Sequence, residues 1–324
     1  DSCTAYPALT ALAATFDQAL AYDYGVAIGE EARYRNKDVL LGPGCNICRT
    51  PLCGRNFEYM GEDPALASAM VVPYVKGVQE QGVAACVKHF ALNNQELHRH
   101  TTNVVVSDRA LNEIYLPAFR AAVEEGGAWA MMGAYNLFDN EHCCHNSRLS
   151  RILKEEWNFD GVLISDWGGT HDTEQAIING LDMEFGTWTD GLMVGKGNAY
   201  DKFHLAQPYL ERLRSGEASE DVLDGKVRRV LRLMMRTCMS GNRGWGRFTC
   251  PEHSATARRI GAEGIVLLKN EGNLLPLHHR RILVVGENAV RSMTMGGGSS
   301  SLKTKYEVSP LDGLRTALPD AEIV

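Results

Sequence analysis

The chain has 324 residues, 44% of them hydrophobic and 23% charged, with a formal net charge of −7 and a pI near 5.8. That is room for one large domain plus part of a second, or for two ordinary ones. An acidic balance without any block of basic residues makes nucleic acid and anionic membrane surfaces poor partners, and no apolar run approaches the ~18 residues of a bilayer span.

Residue 1 is Asp, and no charged start with an apolar core follows it, so the beginning of the chain carries no targeting information. Nine cysteines is an odd count, with Cys86 in an apparent strand and Cys238 in an apparent helix. In a chain of this size they read as mostly reduced thiols, which favours a cytoplasmic location. Cys45 and Cys48, with Cys53 nearby, lack the second pair of a zinc site. His142, Cys143, Cys144 and His145 are four adjacent ligand types whose side chains cannot easily converge on one ion. Neither a metal nor a cofactor is expected.

In chain order, Leu9, Leu12, Phe16 and Leu20, then Val26, Ile28 and Ala32, recur at helical spacing and predict one or two helices over 8–36. Val39–Leu41 reads as a strand, followed by a loop to Asp63 that carries Arg49, Arg55, Glu58 and Glu62. Asp63-Pro64 is a helix start, and the helix runs over 64–81. Val83–Val87 is a strand ending in Lys88-His89-Phe90. After a polar loop, Ser107 or Asp108 caps a helix with Leu111, Ile114, Tyr115 and Phe119 on its inner face. Ala128–Ala134 is a strand ending in Tyr135-Asn136, and a helix spans 147–157.

The run from Gly161 to Ser165 reads as a strand buried on both faces, and it delivers Asp166 and Trp167 to the sheet's C-terminal edge. Gly168 and Gly169 separate Asp166 from the next helix, so Thr170 or Asp172 is the better cap and Asp166 is free for a site role. A helix over 171–179, a strand candidate Leu181–Phe185 and helices over 201–215 and 219–236 follow. Residues 242–250 read as a linker. Beyond a helix over 252–264, Ile282–Val285 opens a fresh α/β unit.

Strands beginning near 39, 83, 128, 161 and 181, each followed by helix, mark parallel βα units. An open doubly wound sheet and a closed barrel both fit. No Gly-x-Gly-x-x-Gly follows a strand at a helix start, and Gly296-Gly297-Gly298-Ser299-Ser300 lacks the Gly-Lys-Ser/Thr of a phosphate loop, so the barrel is preferred. The expected architecture is a (β/α)8 TIM-like barrel over 1–237, incomplete at its N-terminus. A linker over 238–251 leads to the beginning of an α/β sandwich over 252–324.

On a barrel, Lys88-His89, Tyr135-Asn136, Asp166-Trp167 and Glu184 would share one mouth. Lys88 could form a Schiff base with a carbonyl substrate, donate to substrate hydroxyls beside His89, or simply pair with a carboxylate such as Glu96. Trp167 beside a carboxylate suits a flat sugar face, though a packing tryptophan is as common. Retaining glycoside hydrolysis needs an ionised carboxylate and a protonated acid ~5–5.5 Å apart. Glu58, Glu62, Glu96, Asp172 and Glu184 are candidate acids, none singled out by pattern.

Five segments in order decide further: LLGPGCNICRTPLCGRNFEYMGEDP (40–64), GVAACVKHFALNNQELHR (82–99), MMGAYN (131–136), NFDGVLISDW (158–167) and AEGIVLLKNEGNLLPL (262–277). Through them the chain resembles glycoside hydrolase family 3, of the β-glucosidase type, over essentially its whole length. The resemblance implies a barrel paired with an α/β sandwich and an active site between them. It implies Asp166 as the nucleophile of double displacement, with Arg55, Lys88, His89, Arg99 and Tyr135 holding the hydroxyls of a non-reducing terminal glucose. Trp167 would line the pocket, and Ser299 on the glycine-rich loop is a weaker candidate. Arg55, Lys88 and Arg99 would keep Asp166 ionised.

The implied substrates are β-glucosides or short β-linked gluco-oligosaccharides, with a homo-oligomer or a complementing chain as possible partners. Two motifs of the family have no match. The early aspartate that grips the sugar is expected before residue 1, and the acid/base glutamate beyond Val324. The Asp-His pair that another branch carries after its KHF motif is absent from ALNNQELHRH. The alternatives are a sugar-binding fragment without turnover, a β-xylosidase-type member, which the Trp after the nucleophile disfavours, and an aldolase using Lys88.

Overall fold

The computed structural model describes residues 2–186, 199–241, 244–291, 294 and 297–324. The first apolar stretch forms two helices, α1 (Leu9–Ala13) and α2 (Gln18–Tyr34). Phe16 takes a left-handed φ of 54° between them, and Asp17 caps α2 by accepting from the N–H groups of Ala19 and Leu20. β1 (Val39–Leu40) follows, and α3 (Pro64–Glu80) begins at its expected signal, with Asp63 accepting from Ala65 and Leu66. α2 and α3 pack closely through glycines: a Cβ at Gly25 would lie 2.3 Å from the Tyr74 carbonyl oxygen, and one at Gly77 2.4 Å from that of Tyr22.

Next come β2 (Ala84–Phe90) and the short β3 (Asn103–Val104). The single helix expected from 108 is interrupted. α4 (Asp108–Ala110) widens into a π-helical turn over Leu111–Tyr115 and restarts as α5 (Pro117–Glu124), because Pro117 has no N–H to continue the ladder. β4 (Ala130–Gly133) leads to β5 (Leu137–Phe138) and β6 (Glu141–His142), and β5 pairs with β6 on one side and β3 on the other. α6 (Ser147–Arg151) also widens into a π-helical turn, over Ile152–Glu156, before β7 (Val162–Ile164).

α7 (Thr173–Ile178) is capped by Asp172, one of the two caps expected. Residues 181–185 contribute a single bridge, Met183 to Ile164, in place of a strand. The helix expected from 201 is a 3-10 turn at Ala199–Lys202, and α8 (Gln207–Ser215) starts only at the Pro208 signal. α9 (Glu220–Arg236) and α10 (Pro251–Glu263) match expectation. β8 (Arg281–Ile282), α11 (Pro310–Ala317) and β9 (Glu322–Ile323) make one parallel βαβ unit.

The main sheet has the order β1-β2-β4-β7, all parallel. Among the described residues it stays open at both edges, so the closed barrel expected from the sequence is not seen. Its two faces are both covered. Ala85, Val87, Met131 and Leu163 face the core built with α2, α3 and α5, while Ala84, Cys86, Ala130, Met132, Val162 and Ile164 face the other way, with Leu233 of α9. Period-two alternation therefore puts Ala84 and Cys86 of β2 and the even-numbered residues of β4 and β7 on one face, which leads to the cavity described next, while a register shift after Val87 returns Phe90 to the core side. α10 packs on α1 and α2, with Ile260 fully buried in their core. In the stretch after it, Ile265, Leu267, Leu268, Leu283 and Val285 are exposed.

Candidate active site

The C-terminal ends of β2, β4 and β7 open into a cavity of about 530 Å³. Arg55, Lys88, His89, Arg99, Tyr135, Asp166 and Trp167 all line it, so seven of the eight residues expected at the site are brought together. The eighth, Ser299, lies in the 3-10 turn Gly298–Ser300, and its side chain is outside the described residues. Its neighbours Gly297, Gly298 and Ser300 do line the cavity, so the glycine-rich loop contributes a wall.

Asp166 sits just past β7, 7% exposed, with Oδ1 accepting from the Trp167 N–H at 2.8 Å. Burial raises its carboxyl above the ordinary aspartate value, and that outweighs the Trp167 N–H, Tyr135, Arg55 and Lys88, which all act to lower it. The cations near it therefore offset desolvation without overcoming it. His89 Nε2 approaches Asp166 Oδ2 at 3.7 Å, but this is not a charged pair. Burial, then the charges of Arg55, Lys88 and Arg99, hold the imidazole well below its usual range, so it is neutral.

His89 is fixed from three directions. Its N–H donates to Asn46 Oδ1 at 2.7 Å, its carbonyl accepts from Asn46 Nδ2 at 2.9 Å, and its Nδ1 meets the Tyr59 hydroxyl at 3.2 Å. Asn46 and Tyr59 carried no signal in the sequence, because both act on a residue 30 or more positions away. Lys88 does pair with a carboxylate, but with Glu58 (Nζ to Oε2, 3.4 Å) and not with Glu96. Glu58 also accepts from Arg55 Nε through Oε1 at 2.6 Å. Burial pushes the Glu58 carboxyl up, yet the Arg55 hydrogen bond and the Lys88 charge carry it below its ordinary value.

Glu96 instead holds Arg99 at 2.5 Å, and the Arg99 guanidinium lies over the Tyr135 ring at 4.4 Å. The Tyr135 hydroxyl donates to the Trp167 carbonyl at 3.0 Å. Trp167 is 41% exposed and stacks on Phe185 at 5.1 Å and 28°, leaving a flat surface at the mouth. Leu41, Gly54, Phe57 and Met132 complete the lining and were not anticipated. Met132 could have been, since it continues the inward face of β4.

Two of the other acid candidates make hydrogen bonds outside the cavity lining. Asp172 caps α7, and Glu184 Oε2 accepts from the Leu205 N–H at 2.8 Å. The Cys143 and Cys144 thiols donate to the carbonyls of Ala91 and Ala134, and no disulfide joins the cysteines among the described residues. Among the described residues no group of three or more His, Cys, Asp or Glu is arranged to hold a metal ion, and no helix is long and apolar enough to cross a membrane. Chemically, the cavity offers one buried carboxylate facing space, three cations and a neutral imidazole as donors, and an aromatic platform. That set suits a polyhydroxylated ring.

Residues 1–233 match the glycosyl hydrolase family 3 N-terminal domain, and residues 265–323 match the C-terminal domain of that family. A β-glucosidase of Bacteroides ovatus is 55% identical over all of this chain and 44% of its own length. One from Rhizobium radiobacter is 41% identical over 98% of this chain and 38% of its own. Among solved structures, β-glucosidase 3B of Thermotoga neapolitana in complex with glucose superimposes with a TM-score of 0.89 at 37% identity, covering 99% of this chain and 44% of that one. The Streptomyces venezuelae β-glucosidase DesR, in complex with D-glucose, gives 0.91 at 33%, over 100% and 42%. The chain thus spans less than half the length of these relatives.

Proposed function

The chain belongs to glycosyl hydrolase family 3, and on that footing we propose that it carries the nucleophile half of a retaining β-glucosidase acting on non-reducing terminal β-D-glucosyl groups. The observation that supports this most is the position of Asp166, a buried carboxyl facing a cavity whose walls are cations and a tryptophan. Arg55, Lys88, His89 and Arg99 donate to the hydroxyls of one glucosyl ring, and Trp167 meets its flat face. Asp166 attacks the anomeric carbon, the C–O bond to the aglycone breaks, and a glycosyl ester forms at Oδ2. Water then attacks the same carbon, the bond to Oδ2 breaks to regenerate the Asp166 carboxylate, the water's proton passes to solvent, and glucose leaves with retention.

The proton for the departing oxygen does not come from the described lining. Its two carboxyl groups are Asp166 and Glu58, and Glu58 is held ionised by Arg55 and Lys88. That observation favours a second reading, a sugar-binding unit that turns over only activated substrates. The ion pair on Lys88 is the arrangement of a donor, which leaves the aldolase reading without support. Barrel closure, the division into 1–237, 238–251 and 252–324, and the choice of glucoside over xyloside belong to the same proposal, the last supported by the breadth of Trp167.

The test is hydrolysis of 2,4-dinitrophenyl β-D-glucoside, whose leaving group departs without a proton, followed by NMR of the first-formed anomer. β-Glucose appearing first, and no release by Asp166→Asn, supports the proposal; α-glucose first, or an active variant, contradicts it.

A further inference from the structure

Cavity cations are useful to a sugar only while they stay off the nucleophile, and the structure contains a device for that. Among the described residues no lysine or arginine forms an ion pair with Asp166, although Arg55, Lys88 and Arg99 line the same cavity. Arg99 is held by Glu96 and the Tyr135 ring. Arg55 and Lys88 share one carboxylate, Glu58, each through a separate oxygen, and all three side chains are less than 20% exposed.

We propose that Glu58 is a positioning residue, the common counter-ion that fixes Arg55 and Lys88 as a pair of donors along the cavity wall and keeps both from collapsing onto Asp166. This rests on the reading of the cavity as a glycosidase site. Glu58 is itself rigidly placed. It ends the 3-10 turn Asn56–Glu58, which begins beside Arg55, and its N–H donates to the Arg55 carbonyl at 3.1 Å. Gly44 lies directly against it: a Cβ there would sit 2.8 Å from the Glu58 carbonyl oxygen. The next residue, Tyr59, supports His89. The five residues Arg55–Tyr59 therefore orient three of the sugar donors. Without the Glu58 charge, two cations in a partly desolvated cavity would be left with Asp166, and for Arg55 also Glu96, as the anions that act on them. They would then neutralise the nucleophile and fill the space meant for the sugar.

The experiment is inactivation by 2,4-dinitrophenyl 2-deoxy-2-fluoro-β-D-glucoside, a reagent that labels a nucleophile without needing a general acid. Limiting rate, dissociation constant and pH profile are measured for the full chain and for Glu58→Gln. The variant should bind about 10- to 100-fold more weakly, the loss of two charge-supported contacts. The acid limb of its second-order rate constant should also move to lower pH, because freed cations and the loss of a neighbouring anion both favour ionised Asp166. A role confined to folding would lower the melting temperature and leave that limb in place. If Glu58→Gln does not fold, Glu58→Asp keeps the charge but cannot reach both cations, and it should shift binding and limb in the same directions. A folded variant matching the parent in both readouts overturns the inference alone. A parent chain that takes no label on Asp166 overturns the glycosidase reading and this inference with it.

Discussion

Replacing Asp182 by Asn should destabilise the chain by about 3–5 kcal/mol, the range for removing one partner of a buried ion network. Asp182 has a fully buried side chain and satisfies three donors. Oδ2 accepts from Lys154 Nζ at 2.7 Å and from the Leu163 N–H at 2.8 Å, while Oδ1 accepts from Arg229 Nε at 2.8 Å and lies in ion-pair contact with Nη2 at the same distance. An amide supplies one acceptor oxygen and turns an N–H₂ group toward a cation. Two charge-assisted bonds of about 1.5–3 kcal/mol each are lost or reversed, and Lys154 is left buried without its anion. Burial already lowers Lys154 to about 8, so the variant should release that proton near neutral pH.

The consequence reaches the site, because Leu163 lies in β7, three residues before Asp166. Urea unfolding at pH 7, with a slope of about 3 kcal/mol per molar, should show the midpoint fall by about 1–1.7 M. The Lys154→Met, Asp182→Asn pair should recover part of the loss in a double-mutant cycle. A single-variant loss below about 1 kcal/mol, or no coupling with Lys154, would refute the account of this network.

Gly77→Ala should cost about 1–3 kcal/mol by overpacking the α2–α3 contact, since its Cβ would meet the Tyr22 carbonyl oxygen at 2.4 Å; a melting temperature within 1 °C of the parent would contradict it. Acid should weaken the fold through His145, which burial and the nearby His142 hold at about 4. Its Nε2 accepts the His171 N–H at 3.1 Å, so protonation sets donor against donor. Because the folded value lies below the unfolded one, stability is full above about pH 6.5 and is lost as pH falls toward 4, by about 3 kcal/mol for this residue. Thermal melts between pH 7 and 4 should show that loss, and His145→Gln should flatten it; an equally steep variant would count against this cause.

Much of the site was legible because period-two alternation holds through most of the strands, breaking only at the end of β2, where the register shifts between Val87 and Phe90. Ala84, Cys86 and Lys88 share a parity, as do Val162, Ile164 and Asp166, so the apolar runs already aimed both functional groups to one side. Asp63-Pro64 likewise announced α3 through local chemistry. What stayed hidden depends on contacts far apart in sequence. Glu58 could be named as a carboxylate near the site but not as the partner of both Arg55 and Lys88, since that needs the loop after β1 laid against the end of β2. Asn46 gripping the His89 backbone is invisible for the same reason. Pro117 did carry a signal, and the break at Leu111–Tyr115 is its effect. Closure of the barrel depends on hydrogen-bond register between strands as short as two residues, which apolar spacing does not encode.

The most direct measurement is the site of covalent labelling: treatment with 2,4-dinitrophenyl 2-deoxy-2-fluoro-β-D-glucoside, proteolysis, and mass spectrometry of the peptide spanning Asn158–Trp167. A single 2-fluoroglucosyl ester on Asp166, absent from Asp166→Asn, is the predicted result. Label on any other residue, or an intact chain with no label at saturating reagent, would contradict the assignment.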